Sequence, residues 1–168
     1  MTRRDGFGPA HGVLCGAAAG AAGTTALNTV GYLDMLLRGR AASTAPETTV
    51  ERLSETTHVR IPGDDGARRN RTSSLGALTG IAAGAGMGAT LGLALACGWR
   101  PQTVLLTATA TVGALIGTNG PMTVLRVTDP RTWSRSDWIS DVVPHVAYAL
   151  VTTAVLTGLR AGRVRIPR

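Results

Sequence analysis

The sequence predicts an all-α fold: a bundle of four transmembrane helices whose first two helices pack as a glycine zipper, with a short amphipathic helix in the first connector. Three observations support this fold class. Long uncharged stretches alternate with arginine-rich connectors, although the mean hydropathy of the chain is only +0.16. Glycine recurs at every fourth position in two of the uncharged stretches. Aromatic residues make up only 4% of the chain, which would leave a water-soluble core poorly filled.

The first predicted span covers residues 11–37. Its uncharged run continues to Leu33, which is long enough to cross the hydrocarbon. The basic start is also typical of a signal peptide, but we expect the segment to be kept, because Leu14 precedes Cys15 where lipoprotein cleavage requires a small residue. Its glycines at every fourth position are Gly12, Gly16 and Gly20.

Two polar residues, Asn28 and Asp34, lie toward the end of this span. An ionisable group inside a span is a candidate functional residue. Asp34 also precedes Arg38 by four residues, which is the spacing of an ion pair on one helix face. We prefer the ion pair at the lipid headgroups, and keep a polar site as the alternative.

The first connector, residues 38–74, is too polar to lie in hydrocarbon. Thr44 followed by Glu47 has the spacing of a capping box and predicts a short helix that ends near Val59. This helix contains one Glu-x-x-His pattern, a spacing also found in carboxylate-bridged metal sites. We prefer the interpretation that it is a solvated acidic face, because such sites need ligands from other helices. The residues concerned are Glu51, Glu55 and His58.

The second predicted span covers residues 75–99 and carries the clearest pattern in the chain. Each interior glycine would cost a helix in water about 0.5–1 kcal/mol relative to alanine. In lipid, small residues spaced by four let two helix backbones approach closely. We therefore expect the first two spans to be antiparallel partners. The glycines of the second span are Gly76, Gly80, Gly84, Gly88 and Gly92.

The two cysteines, Cys15 and Cys97, would lie at similar depth in such an antiparallel pair. A disulfide between them is one interpretation. The other, which we prefer, is that both are small buried hydrophobic side chains.

The third predicted span covers residues 102–125 and is also uncharged. Three of its threonines share one helix face and can bond to their own backbone or across a helix contact. Asn119 and Pro121 interrupt the apolar pattern, which predicts an unwound end. The three threonines are Thr107, Thr111 and Thr118.

The fourth predicted span covers residues 138–160, and Ser134 with Asp137 three residues later predicts a capped start. Polar residues then recur along one helix face, which makes this the most suggestive stretch for function. We prefer the interpretation that they are a helix cap and an interfacial histidine. The alternative is a proton relay or half of a metal site. The residues are Asp137, Asp141, His145 and Tyr148.

Three motifs link the chain to other sequences. They are Leu33-Asp34-Met35-Leu36-Leu37-Arg38-Gly39-Arg40, Thr128-Asp129-Pro130-Arg131, and the stretch from Asp137-Trp138 through Pro144-His145 to Tyr148. With them the chain resembles the uncharacterised small four-helix integral membrane proteins of actinobacteria. The resemblance implies a membrane fold and supplies no catalytic residue.

The net charge of +7 raises the question of a nucleic-acid partner. All 17 basic residues are arginine, but they form no basic helix face, and no zinc-ligand spacing accompanies them. Arginines at the ends of apolar runs suit lipid headgroups instead. We expect the lipid bilayer as partner and no nucleic acid.

The sequence as a whole therefore predicts one integral membrane domain, residues 1–168, multi-pass in a bacterial plasma membrane and without a cofactor. Two glycine rows offer more close-packing surface than one hairpin needs, so we expect a non-enzymatic subunit that self-associates or serves another membrane protein. The alternative is a small transporter or channel with a proton or metal site near Asp141 and His145. An enzyme acting on lipid is the least favoured reading, because no nucleophile and base stand at a recognisable spacing.

Overall fold

The computed structural model describes residues 8–162, which form five α-helices and one short 3₁₀ turn, with no β-strand in that range. The predicted all-α fold class is thereby confirmed. The helices are α1 (Pro9–Arg38), α2 (Ala45–Thr57), α3 (Asp65–Ala96), α4 (Thr103–Val124) and α5 (Arg135–Gly162), and the turn is Pro130–Thr132.

Three of the described helices, α1, α3 and α5, are long and apolar enough to cross a membrane. The sequence analysis expected four, and α4 is the one that does not qualify. No residue of α4 is charged, but six of its positions are threonine, and its last turns contain Asn119 and Pro121. These residues lower the hydropathy of α4, so the described part of the chain has three candidate spans by length and composition.

The central pair of the bundle is α1 with α3, and these helices run antiparallel. Gly12 lies opposite Gly92, and Gly20 lies opposite Gly84. A Cβ atom added to any of these four glycines would come closer than 3.0 Å to the facing helix. The two backbones therefore approach to a distance that larger residues would prevent.

The other neighbour of α1 is α5, which is also antiparallel to it. Gly23 of α1 faces Thr152, and Arg38, at the end of α1, donates a hydrogen bond to Ser140 near the start of α5. Because α3 and α5 both oppose α1, they are parallel to each other. The chain must therefore return along the bundle between them, and α4 packs against both helices as it does so.

The short helix α2 packs against the first half of α3. Val50 is its buried apolar residue, and Gly76 of α3 faces its first turn. The expected capping box does not form, because Glu47 accepts a hydrogen bond from Ser73 of α3 instead, and the side chain of Thr44 makes no capping bond.

The large apolar side chains lie mainly on the outside of the bundle, and small ones fill the inside. Ala19, Ala110 and Ala149 are completely buried. Many large side chains on α1 and α4 are exposed, which is the arrangement expected for helices surrounded by lipid rather than water. Examples are Leu36, Leu37, Val104, Ile116 and Val124.

Candidate functional site

Most of the polar side chains singled out from the sequence meet at one end of the bundle. The antiparallel arrangement brings the end of α1, the end of α4 and the start of α5 together there. We call this region the polar end and define it as residues 34–40, 118–119 and 134–145. It contains two separate hydrogen-bonded clusters, which lie on different sides of α5.

The first cluster joins α4 to α5 around His145, which is only 6% exposed. Its Nδ1 lies 2.7 Å from the backbone oxygen of Asp141 and 3.5 Å from the carboxylate of the same residue. Its Nε2 lies 3.2 Å from the hydroxyl of Thr118. Asn119 donates from Nδ2 to the Asp141 carboxylate at 2.8 Å, whereas the Oδ1 atom of Asn119 is buried without a hydrogen-bond partner.

The hydrogen bonds of this cluster accommodate two protonation states of His145. Because Nδ1 faces a carbonyl oxygen, it carries a hydrogen, and a neutral ring then needs Thr118 to donate to Nε2. The single hydroxyl hydrogen of Thr118 is also within reach of the Ala114 carbonyl, at 2.9 Å. If the Thr118 hydroxyl donates to the Ala114 carbonyl, its oxygen can only accept from Nε2 of His145. Both ring nitrogens then carry a hydrogen, and the Asp141 carboxylate lies 3.5 Å from the positively charged ring. The neutral and charged rings differ by one proton on Nε2, and the Thr118 hydroxyl can serve as donor to the first or as acceptor from the second.

The second cluster joins α1 to α5 around Asp34. Arg38 donates to Asp34 at 3.2 Å, which is the ion pair that the spacing of four indicated. Arg40 also donates to this carboxylate, and the Ser140 hydroxyl donates to it at 3.3 Å. Arg38 in turn donates to Ser140 and Ser136. Asp34 therefore accepts hydrogen bonds from three side chains, and the cluster joins the end of α1 to the start of α5.

Asp137 belongs to neither cluster. It forms a reciprocal capping box with Ser134, as the sequence indicated. The Asp137 carboxylate accepts from the Ser134 backbone N–H at 2.9 Å, and the Asp137 N–H donates to the Ser134 hydroxyl at 3.2 Å. Its carboxylate is used to start α5, and it does not join Asp141 and His145.

Tyr148 and Asn28 also lie away from the two clusters. Tyr148 is 1% exposed and donates its hydroxyl hydrogen to the backbone oxygen of Gly84 at 2.7 Å, so it links α5 to α3. Asn28 is exposed on α1, and its side chain makes no hydrogen bond to any other described residue. The predicted polar face along α5 is therefore divided: Asp137 caps α5, Asp141 and His145 contact α4, and Tyr148 contacts α3.

No three His, Cys, Asp or Glu side chains come together as a metal site anywhere in residues 8–162. The Glu-x-x-His pattern of α2 lies in a helix that packs on α3. Glu55 there pairs with Arg52 at 3.1 Å, and His58 ends the helix in a left-handed conformation, with φ of +57°. Glu55 and His58 of α2 therefore do not join Asp141 and His145 in one site.

Two polar contacts were missed in the sequence analysis. The Cys15 thiol lies 3.1 Å from Nε2 of His11, one turn earlier in α1, and the spacing of four was a readable signal for this pair. Asp141 accepts a hydrogen bond from Asn119 of α4, and no spacing in the sequence indicates this contact because the two residues lie on different helices. The expectation about the cysteines is also partly wrong: both are free, and Cys15 is buried, but Cys97 is exposed because it follows the last turn of α3.

No protein-family model, curated protein or solved structure matches this chain. What defines its class is therefore its own fold: an all-helical protein with three described helices that are long and apolar enough to cross a membrane. The resemblance to small actinobacterial membrane proteins stays a prediction.

Proposed function

We propose that the chain is a four-span membrane protein, with α4 as the additional span, in a bacterial plasma membrane. The support for α4 is topological. Because α3 and α5 are parallel, the chain has to cross back between them, and α4 is the uncharged helix on that return path. The antiparallel rows of glycine in α1 and α3 would act as a glycine zipper, since each facing Cβ would clash.

We further propose that it acts without catalysis, as a self-associating subunit. Most of the glycine rows no longer support this idea, because Gly12, Gly16 and Gly20 of α1 face Gly84, Gly88 and Gly92 of α3 within one chain. The observation that carries it is Asn28, which presents an unpaired carboxamide on the exposed face of a candidate span. A carboxamide both donates and accepts, so two copies of α1 can satisfy each other, which lipid cannot do.

The test is the oligomeric state of the full chain in mild detergent, measured by native mass spectrometry or crosslinking. We expect Asn28→Leu to weaken self-association by about ten-fold, since an interhelical polar contact in lipid is worth about 1–2 kcal/mol. Thr25→Val is the matched control, because Thr25 is exposed on the same helix but bonds to its own backbone at Ala21. A monomeric wild-type chain, or equal association of both variants, would contradict the proposal.

A second candidate function is proton movement through the cluster of Asp141 and His145. It is favoured by the buried position of His145 and by the Thr118 hydroxyl, which can either donate to Nε2 or accept a hydrogen bond from it. In liposomes loaded with a pH dye, the wild-type chain would then carry protons, and His145→Gln and Thr118→Val would each reduce the rate. Proteoliposomes as tight to protons as empty liposomes would rule this function out.

A further inference from the structure

The segment that follows α2 forms a groove against the beginning of α3. The groove is shallow and open on one side, with a volume of about 520 Å³. Apolar side chains from both segments line it, and none of the described residues that line it is acidic. The residues that matter for its chemistry are Val59, Arg60, Ile61, Arg71, Leu75 and Leu78.

The groove straddles the point where α3 becomes apolar. Arg71 is the last charged residue before an uncharged run that continues to Arg100. Arg71 therefore belongs at the headgroup level of a bilayer, and Leu75 and Leu78 follow one and two turns deeper. Leu78 is 60% exposed, so the deeper part of the groove is open to the surrounding medium.

The arginines of the groove have hydrogen-bonding capacity to spare. Arg71 donates from Nη1 to the backbone oxygen of Pro62, which fixes its position and uses one of five guanidinium N–H groups. Arg60 is exposed and makes no hydrogen bond or ion pair with the other described residues. Two guanidinium groups without a lining carboxylate favour a phosphate-bearing ligand.

We propose that this groove binds one anionic phospholipid, with its phosphate between Arg60 and Arg71 and an acyl chain along Leu75 and Leu78. The inference rests on the proposal that α3 crosses a membrane. The positive charges of Arg60 and Arg71 favour an anionic headgroup. The apolar side chains of Leu75 and Leu78 favour a ligand that carries an acyl chain. Free phosphate would meet the same arginines but would leave the wall uncovered.

The test counts lipids retained by the full chain in mild detergent, by native mass spectrometry, with phosphatidylglycerol and phosphatidylcholine as probes. We expect preferential retention of phosphatidylglycerol and about a five-fold loss of it in Arg60→Gln, the effect of one arginine near the membrane surface. Arg69→Gln is the control for the loss of one positive charge, because Arg69 is exposed near the start of α3 but does not line the groove. Retention in that control should match the wild type.

Three results would overturn the inference. Equal losses in the Arg60 and Arg69 variants would mean a general effect of surface charge. Displacement of the lipid by an equal concentration of inorganic phosphate would mean a site for a free anion. Loss of self-association in Arg60→Gln, without loss of lipid, would mean that a second copy occupies the groove. Recovery of the chain without detergent would instead refute the membrane proposal itself, so the two failures are distinguishable.

Discussion

Asn119 of α4 donates a hydrogen bond of 2.8 Å to the Asp141 carboxylate of α5, and this contact joins two helices through residues 22 positions apart. The same carboxylate lies 3.5 Å from Nδ1 of His145. In a bundle whose helices expose most of their large apolar side chains, such polar contacts fix which faces meet, because an unpaired polar group in an apolar environment is costly.

Loss of this contact should destabilise the bundle. In Asn119→Leu the partly buried carboxylate loses its amide donor, and we expect the free energy of unfolding to fall by about 1–3 kcal/mol. Thr123→Val is the control, because Thr123 is exposed and bonds only to the backbone of its own helix, at Asn119. Thermal unfolding in detergent measures both, and equal stability of the two variants would show that the contact does not fasten α4 to α5.

Two glycines of α3, only two positions apart, should respond to alanine in opposite directions. At Gly88 a Cβ atom would collide with the backbone of Gly16 and Gly20, so Gly88→Ala should cost about 1–3 kcal/mol. At Gly86 nothing lies within 4 Å, so Gly86→Ala should stabilise the helix by about 0.5–1 kcal/mol. Chemical or thermal unfolding of each variant gives the sign. The close approach of α1 and α3 would be refuted if both variants were stabilised.

Substitutions of Ser134 and Asp137, at the start of α5, should have coupled effects on stability. Ser134→Ala and Asp137→Ala each remove one half of the capping box, and each should cost about 1 kcal/mol. The double variant should cost clearly less than the sum, because the two side chains serve the same cap. A double-mutant cycle on unfolding free energies measures this. Additive losses would mean that the two residues act independently.

The Asp129–Arg131 ion pair, in the turn before α5, should make the stability of the fold depend on pH. Hydrogen bonds from the Arg131 side chain and backbone lower the pKa of Asp129 below its ordinary value of 3.8. A lowered pKa means that the ionised carboxylate favours the folded state, so this contribution is present above pH 3.8 and is lost as the pH falls through the lower folded value. NMR titration of the Asp129 carboxyl carbon should show the low pKa and its return toward 3.8 in Arg131→Gln. An Asp129 pKa that the substitution does not move would contradict this account.

The features that the sequence revealed are those with a local period. The glycine spacing of four marked the contact of α1 with α3 only in part: Gly84, Gly88 and Gly92 face α1, but Gly76 faces α2 and nothing lies within 4 Å of a Cβ added to Gly80. The spacings within the Asp34–Arg38 and Ser134–Asp137 pairs marked contacts that the structure contains. Contacts between distant segments could not be read in this way. The Asn119–Asp141 hydrogen bond depends on which face α4 turns toward α5. Glu47 accepts a hydrogen bond from Ser73 of α3 rather than capping its own helix.

The candidate site was predicted only in part for the same reason. Asp137, Asp141, His145 and Tyr148 do follow one another along α5, but the helix has neighbours on several sides. Asp137 caps the helix, Asp141 and His145 face α4, and Tyr148 reaches α3. A spacing in the sequence places residues along a helix; the packing of the other helices decides which of them share a site.

The most direct test of the central claim is the accessibility of two cysteines at opposite ends of the bundle, in sealed membrane vesicles. Cys97 is exposed just after α3, and Thr132→Cys adds a thiol at an exposed position just before α5. If α4 crosses the bilayer between them, a membrane-impermeant maleimide should label only one of the two until detergent is added. Labelling of both in intact vesicles, or recovery of the chain in the soluble fraction, would contradict a four-span membrane protein.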